Sequence, residues 1–224
     1  MACIDLSHQL SSATAAYPGD PAIGVEPVMT IPQEGCRLAR LSLSTHSATH
    51  VDAPAHVLED GKPLSSFALQ AFCGRACVLD CRSGFQEDKS EALCRRLLEA
   101  ADLKSPAAGV DWVLFWTGWS ARWGKDDYFT GAYPVPTKAL LKRLAELGVT
   151  GIGFDTPGPD PYGEVERHCA WFAAGGGLIV ENLTKLEALA QEGPIVWFCA
   201  APLKTTAPDG APVRAFALTG SNPL

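Results

Sequence analysis

What this chain of 224 residues lacks excludes several classes of protein. No stretch approaches the ~20 apolar residues that a membrane-spanning helix needs. Acidic residues outnumber basic ones by 25 to 18, and the basic residues are scattered, so we do not expect the chain to bind nucleic acid. The first residues also lack the basic and apolar regions of a secretory signal. We therefore expect a cytoplasmic protein that has neither a membrane nor a nucleic acid as a partner.

Two familiar kinds of reactive motif are missing as well. The eight cysteines form no C-x-x-C pair, and in a reducing cytosol most of them should be small buried hydrophobic residues. No G-x-S-x-G motif occurs, which argues against a serine nucleophile and a covalent acyl-enzyme. If the chain is an enzyme, its chemistry should come from other side chains.

Histidine is scarce, yet three of the five histidines lie within residues 46–56, which read H-S-A-T-H-V-D-A-P-A-H. Imidazole titrates near neutral pH and is the commonest metal ligand, and aspartate adds an anionic oxygen. Pro54 disfavours a helix through the segment, and on an extended chain His50 and Asp52 would point the same way. The spacing is that of neither a zincin protease nor a zinc finger. A metal or catalytic site is the hypothesis; hydrogen-bonded structural histidines are the alternative.

Two residues in the second half could complete such a site. His168 could equally be a core or surface histidine, and Glu181, at the end of a short apolar strand, could be a first-turn helix residue favoured by the helix dipole. A hydrolytic site with two ions needs bridging carboxylates and ligands from more than one segment. These two residues would supply what the first cluster lacks.

Apolar periodicity predicts an α/β fold in which helices pack on a mixed sheet. With no linker, repeat or charge block, residues 1–224 should form one domain, and residues 155–163 should form an active-site loop. The predicted strands are 23–31, 38–45, 76–81, 112–117, 149–154, 178–180, 195–200 and 213–218, and the predicted helices are 90–101, 137–147, 168–174 and 184–189.

Nearly the whole chain resembles the metal-dependent cyclase-like hydrolase family, which includes bacterial kynurenine formamidases and isatin hydrolases. Its main motif is similar to His46-x-x-Thr49-His50-x-Asp52-x-Pro54-x-His56. The other matching pieces follow in the family's order: Asp5-Leu-Ser-His8, Tyr17-Pro-Gly-Asp20-Pro, Thr117-Gly-Trp119, Trp123-Gly, Asp155-Thr-Pro157, His168 and Glu181-Asn-Leu183. One departure is Ala48, where the family generally has glycine; a methyl group there could strain a backbone that needs a positive φ, or be tolerated.

The resemblance implies a three-layer β/β/α swivelling domain, assembled as a homodimer or homotetramer. It implies that His46, His50 and Asp52 hold one divalent ion, and that Asp52, His168 and Glu181 hold or bridge a second in two-metal members. His56 matches the general base and acid, and Tyr17 lies in a motif near the substrate. Zinc suits these ligands best, and manganese is the alternative.

The function that the resemblance implies is hydrolysis of an aryl formamide, first of all N-formylkynurenine to kynurenine and formate in tryptophan catabolism. Metal-activated water would attack the carbonyl, and His56 would carry the proton. Two alternatives stay open: ring opening of isatin or a related lactam or lactone, and a non-catalytic protein whose ion only stabilises the fold.

Overall fold

The computed structural model describes residues 2–85, 109–193 and 195–220. It contains ten strands, four α-helices and several short 3₁₀ helices in these ranges. The strands are β1 (Ala2–Asp5), β2 (Gly24–Met29), β3 (Leu38–Ser42), β4 (His50–Asp52), β5 (Cys73–Asp80), β6 (Trp112–Trp116), β7 (Gly151–Phe154), β8 (Leu178–Glu181), β9 (Ile195–Pro202) and β10 (Gly210–Thr219). The α-helices are α1 (Ile31–Glu34), α2 (Lys138–Glu146), α3 (Glu166–Ala173) and α4 (Leu186–Glu192).

Eight of these strands form one mixed sheet in the order β1-β10-β4-β8-β7-β6-β5-β9. Strands β5, β6, β7 and β8 are parallel to one another, and all other neighbouring strands of the sheet pair antiparallel. Strand β9 also pairs with β10, so the seven strands from β10 to β9 close on themselves. The mixed α/β class is therefore confirmed, whereas the three-layer description fits only in part, because the sheet closes instead of separating into two layers.

The buried side chains form two clusters, and the parallel strands contribute to both because their two faces are covered. Trp112, Leu114 and Val180 belong to the first cluster, whereas Val113, Phe115 and Ile179 belong to the second. Successive residues of a strand point to opposite faces, so β6 and β8 read as continuous apolar runs. This packing fixes the end of β8, where Glu181 lies.

Helix α2 packs into the second cluster through three leucines at helical spacing, Leu140, Leu141 and Leu144. The Thr137 hydroxyl accepts a hydrogen bond from the Leu140 amide at 3.1 Å and caps the helix, and Gly148 follows its end with a φ of +81°. The helix predicted over residues 137–147 is therefore confirmed. The helix predicted over residues 90–101 lies outside the described residues.

The predictions for the first fifty residues need correction. The strands predicted over residues 23–31 and 38–45 are shorter, and β2 pairs with β3 in a separate two-stranded hairpin. Every residue of the two strands except Gly24 is exposed, and Leu41 retains 62% of its accessible surface. Apolar residues of the predicted strands, such as Leu41, therefore lie in a strand but not on a buried face of this chain. The first strand of the chain does not join that hairpin, because β1 pairs with β10 in the main sheet.

In the ranges that the structure describes, no helix combines the length and the apolar character needed to cross a bilayer.

Candidate active site

The histidine-rich segment enters the sheet at one short central strand. After β3 the chain turns through residues 45–49, forms β4 between β10 and β8, and turns again at the 3₁₀ helix Pro54–His56. His50 and Asp52 thus lie two residues apart on an extended strand and point to the same side, as predicted. In the antiparallel pairing of β4 with β8, His50 lies directly opposite Glu181.

Three side chains converge on a first point. The Asp52 Oδ1 atom lies 2.7 Å from His46 Nδ1 and 3.2 Å from His50 Nε2. His50 and Asp52 are almost completely buried. Two imidazole nitrogens and a carboxylate oxygen, all within 4.8 Å of one another, form a donor set that suits a divalent transition metal.

A second point lies on the other side of the same aspartate. His168 Nε2 is 3.0 Å from Glu181 Oε1 and 3.5 Å from Asp52 Oδ2, and the other oxygen of Glu181 lies 3.3 Å from His50 Nε2. Among the described residues, the buried Asp52 Oδ2 atom has no hydrogen-bond partner. A buried carboxylate oxygen without a partner is costly, and a cation beside it would remove that cost. The arrangement therefore fits a second ion, with Asp52 between the two points.

Two of the imidazoles are oriented by groups outside the cluster. His50 Nδ1 lies 2.8 Å from the Ala48 carbonyl oxygen, and His168 Nδ1 lies 2.7 Å from Asp160 Oδ2. In each case the nitrogen next to the acceptor is a donor, and Nε2 is directed at the carboxylates, where it can hold either a proton or a metal ion. Metal-binding histidines usually have such a partner on the nitrogen away from the ion.

The buried carboxylates of the site favour positive charge on the groups beside them. Burial alone would lower the pKa of His50, but the carboxylates of Asp52 and Glu181 outweigh it and raise the pKa to about 10. The pKa of His168 is also raised, against burial, by its carboxylate neighbours, and the pKa of Asp52 is well below its usual range despite burial, because of the histidines around it. In the metal-free protein, protons on the imidazoles therefore provide the positive charge that bound cations would supply.

Ala48, which stands where the family generally has glycine, adopts a left-handed conformation with a φ of +53°. Its carbonyl oxygen accepts hydrogen bonds from His50 Nδ1 and from Asn182 Nδ2, each at 2.8 Å. Asn182, which follows Glu181, also has a positive φ of +56°. The two strained positions are joined by a hydrogen bond and hold the ends of β4 and β8 together.

A cavity of about 320 Å³ opens above the cluster. His56 lines it, and so does Tyr17, whose ring meets the Phe129 ring edge-on at a centroid distance of 5.6 Å. The loop of residues 155–163 forms one wall, and the Tyr17 hydroxyl accepts a hydrogen bond from the Gly163 amide at 3.0 Å. The predicted active-site loop thus borders the cluster.

Within that loop, Asp155 and Gly158 support the site without facing its centre. Asp155 is fully buried and accepts hydrogen bonds from the Thr117 amide, the Thr117 hydroxyl and the Gly118 amide. At Gly158, a Cβ atom would lie 2.2 Å from Glu181 Oε1. The loop can therefore approach the glutamate so closely only because residue 158 has no side chain.

The structure brings all seven predicted site residues to one place: His46, His50, Asp52, His56, His168, Glu181 and Tyr17. The sequence reasoning missed Asp160 and Asp209, which contact the rings of His168 and His46, and the aromatic wall formed by Phe129 and Tyr133. Acidic residues in turns are common, so the sequence alone held no signal for either aspartate. Only the fold reveals them.

Together these features define a histidine- and carboxylate-rich centre of the type found in metal-dependent hydrolases. Residues 4–161 match the family model Cyclase, described as "Putative cyclase", and the chain belongs to that family. It is 31% identical to a kynurenine formamidase of Salinibacter ruber over 227 residues and 30% identical to one of Bacillus cereus over 215 residues. These alignments cover 96% and 95%, respectively, of both this chain and the relative.

Solved structures of hydrolases have a fold similar to that of this chain. An isatin hydrolase A from Ralstonia solanacearum has a TM-score of 0.77 at 25% identity, and the match covers 98% of this chain and 92% of that one. A potential metal-dependent hydrolase with cyclase activity has a TM-score of 0.72 at 22% identity, with 99% of both chains covered. The predicted family and the prediction of a hydrolytic enzyme are confirmed.

Proposed function

We propose that the protein is a metal-dependent amidohydrolase that cleaves an aryl formamide, with N-formylkynurenine as the leading substrate. One observation carries the proposal: ligands from two distant segments meet on either side of the Asp52 carboxylate, beneath a cavity that His56 also lines. The similarity to kynurenine formamidases over 95% or more of the chain supports this choice of substrate.

The ligand sets follow from the contacts. His46, His50 and Asp52 would hold one divalent ion, and Asp52, His168 and Glu181 would hold a second, with zinc favoured and manganese possible on ligand type. An ion held there would lower the pKa of a bound water to about 7 and would polarise a carbonyl oxygen. Hydrolysis of a formamide needs both effects, since hydroxide must add to a weakly electrophilic carbon.

His56 is the group that we assign to proton transfer. Burial lowers its pKa, against the opposing effect of Asp52, so the imidazole is neutral near pH 7 and can accept a proton. Its ring centroid lies 4.1 Å from that of His46 and 5.8 Å from that of His168, which places it beside both ligand sets. It would take the proton from the attacking water and return it to the leaving nitrogen, which departs as an aryl amine together with formate.

The shape and lining of the cavity suit an aromatic substrate. Tyr17, Phe129 and Tyr133 contribute rings to its wall, and aromatic rings pack well edge-on or offset against one another. Asp20 and Glu164 add carboxylates, and among the described residues that line the cavity none is lysine or arginine. This lining favours a neutral aryl amide or one that carries an ammonium group.

Ring opening of isatin or a related lactam is the second candidate, because the fold matches an isatin hydrolase A at a TM-score of 0.77. Both reactions begin with hydroxide adding to an amide carbonyl next to an aromatic ring. Parallel absorbance assays of the purified, metal-loaded protein on N-formylkynurenine and isatin would separate them. Faster turnover of N-formylkynurenine supports the proposal, and turnover of isatin alone would replace it.

Metal analysis and chelation test the remaining alternative, an ion that serves only the fold. A catalytic ion should leave behind an inactive protein that is still folded when a chelator removes it, whereas a structural ion should leave an unfolded one. Circular dichroism before and after chelation, with activity restored by added Zn²⁺ or Mn²⁺, distinguishes the two. Activity that persists without metal would reject the proposed function.

We also propose that two copies of the chain associate through the β2–β3 hairpin. An isolated two-stranded hairpin is marginally stable in water, and here its apolar side chains, including Val25, Met29, Leu38 and Leu41, are exposed. Two-fold dimers are the commonest oligomers of soluble proteins, so a second copy of the chain is the partner that we propose for this surface.

A further inference from the structure

We propose that Asp209 is a positioning residue that fixes the tautomer of His46 and thereby increases the affinity of the first ion site. The inference rests on the proposed metal site and adds a residue to it. Asp209 lies in the bend before β10, far from the histidine-rich segment in sequence.

Asp209 contacts the side of the His46 ring that faces away from the cluster. His46 Nδ1 lies 2.7 Å from Asp52 Oδ1, and His46 Nε2 lies 3.0 Å from Asp209 Oδ2. The ring is therefore held between two carboxylates, one at each nitrogen. A neutral imidazole has one N–H donor and one lone pair, so the two carboxylates cannot both accept from it.

The neighbours of each carboxylate decide which nitrogen carries the proton when an ion is bound. Asp52 Oδ1 also faces His50 Nε2 at 3.2 Å, so an ion among these three groups would take the lone pair of His46 Nδ1. The proton then resides on Nε2, which donates a hydrogen bond to Asp209 Oδ2. His46 thus completes the pattern that His50 makes with the Ala48 carbonyl and His168 makes with Asp160.

Asp209 is itself held in place for this contact. The Thr45 hydroxyl donates to its Oδ2 atom at 2.5 Å, and the Ala53 amide donates to its backbone carbonyl oxygen at 2.8 Å. Thr45 and Ala53 flank the ligand segment on either side. Asp209 is therefore hydrogen-bonded to residues at both ends of the ligand segment 46–52, and it contacts the first histidine of that segment.

A competing role for Asp209 is to orient His56, because ligand atoms of His46, His56 and Asp209 all lie within 4.8 Å of one another. The two roles predict different measurements. Loss of a partner of His46 should weaken metal binding, whereas loss of a partner of His56 should lower kcat while metal binding stays unchanged.

The experiment compares Asp209→Ala and Asp209→Asn with the unchanged protein. Zn²⁺ affinity is measured by competition with a chromophoric chelator, and ¹⁵N spectra of labelled histidine report which nitrogen of His46 carries the proton. Asp5→Ala is the control, since it removes a solvent-accessible carboxylate of β1 that pairs with Arg214 on β10, the strand that follows Asp209.

We expect Asp209→Ala to weaken Zn²⁺ binding by about 10–100-fold and to abolish the single protonated form of His46 at Nε2. Asp209→Asn keeps an oxygen acceptor and should recover most of the affinity, and the Asp5→Ala protein should bind like the unchanged one. Unchanged affinity in a folded Asp209→Ala protein would overturn the inference, as would a fall in kcat alone. If the unchanged protein binds no divalent ion, the proposed function fails first, and this inference fails with it.

Discussion

His50 and Glu181 face each other across the antiparallel strands β4 and β8, and His50 Nε2 lies 3.3 Å from Glu181 Oε2. This pair joins the two halves of the chain at the candidate site. Because neighbouring residues of a strand point to opposite faces, a register shift of one residue would turn one of the two side chains away. The hydrogen bonds of a central strand pair therefore determine whether both ligand sets can exist.

The first prediction concerns the number of ions. Glu181→Gln removes a charged oxygen from the second ligand set but leaves His46, His50 and Asp52 intact, so the protein should lose about one equivalent of metal per chain and retain the other. Elemental analysis of dialysed protein measures this. Glu187→Gln, an exposed residue of α4, is the matched control. Two retained equivalents in the Glu181 variant would show that the glutamate is not a ligand.

The second prediction concerns proton transfer. His56→Asn should retain its metal but lose about 10²–10⁴-fold in kcat, which is the usual contribution of a general acid or base. Steady-state kinetics with metal analysis on the same sample check both parts. His8→Asn serves as the control, because the His8 ring stacks on Trp123 and is not among the described side chains that line the cavity. Near-normal turnover by the His56 variant would rule out the assigned role.

The third prediction concerns the left-handed backbone at residue 48. A residue with a side chain costs about 1–2 kcal/mol in this conformation, while glycine adds about 0.4–1 kcal/mol of unfolded-state entropy. Ala48→Gly should therefore raise the free energy of unfolding by about 0.5–1 kcal/mol, as measured by chemical denaturation. Ala174→Gly, at a φ of −79°, should lower it. A loss of stability in the Ala48 variant would mean that its methyl group contributes packing that outweighs the strain.

The fourth prediction concerns the pH dependence of the metal-free protein. Its carboxylate neighbours raise the pKa of His50 to about 10 in spite of burial, whereas an unfolded histidine titrates near ~6.5. The folded state therefore holds this proton more tightly than the unfolded state does, and its stabilising effect is complete below pH ~6.5 and is lost as the pH rises toward 10. Thermal denaturation of chelator-treated protein between pH 6.5 and 10 should show a falling Tm.

Metal binding should have the opposite pH dependence, because the ion competes with the protons on the same imidazoles. The affinity for Zn²⁺ should therefore rise over the range in which the metal-free protein loses stability. A metal-free Tm that stays constant or increases across this range would contradict the charge assignment for His50.

The fifth prediction concerns self-association. Leu41→Lys places a charge in the middle of the exposed apolar surface of the hairpin and should shift the protein from dimer to monomer in light scattering. Leu69→Lys makes the same change at a leucine that is even more exposed but lies outside the hairpin, and should leave the mass unchanged. A monomeric unchanged protein would remove the basis for the proposed interface.

The sequence was sufficient for local features and insufficient for long-range ones. The alternation in β3 and the leucine spacing in α2 predicted the element types, because periodicity reflects which side chains share a face. Periodicity does not say what covers that face, so the exposure of Leu41 was not foreseen. The closure of the sheet by β9 and β10 also depends on pairing between distant strands.

The same distinction holds at the candidate site. The spacing of His50 and Asp52 on one strand was enough to place them together. His168 and Glu181 were candidates from their residue types, and the resemblance to a known family supported their place in the same site. Asp160 and Asp209 had no such signal, because their role arises only from ring nitrogens brought near them by the folded chain. Residues that orient ligands are harder to predict from one sequence than the ligands themselves.

The close contact between Gly158 and Glu181 limits how the substrate range of this enzyme could be altered. Substitutions that reshape the loop wall at residue 158 would displace the Glu181 carboxylate, which we propose to bind the second ion, so selectivity and metal content should change together. Phe129 and Tyr133 contribute aromatic rings to the wall of the same cavity. Libraries for new substrates should therefore vary these two rings and leave the glycine untouched.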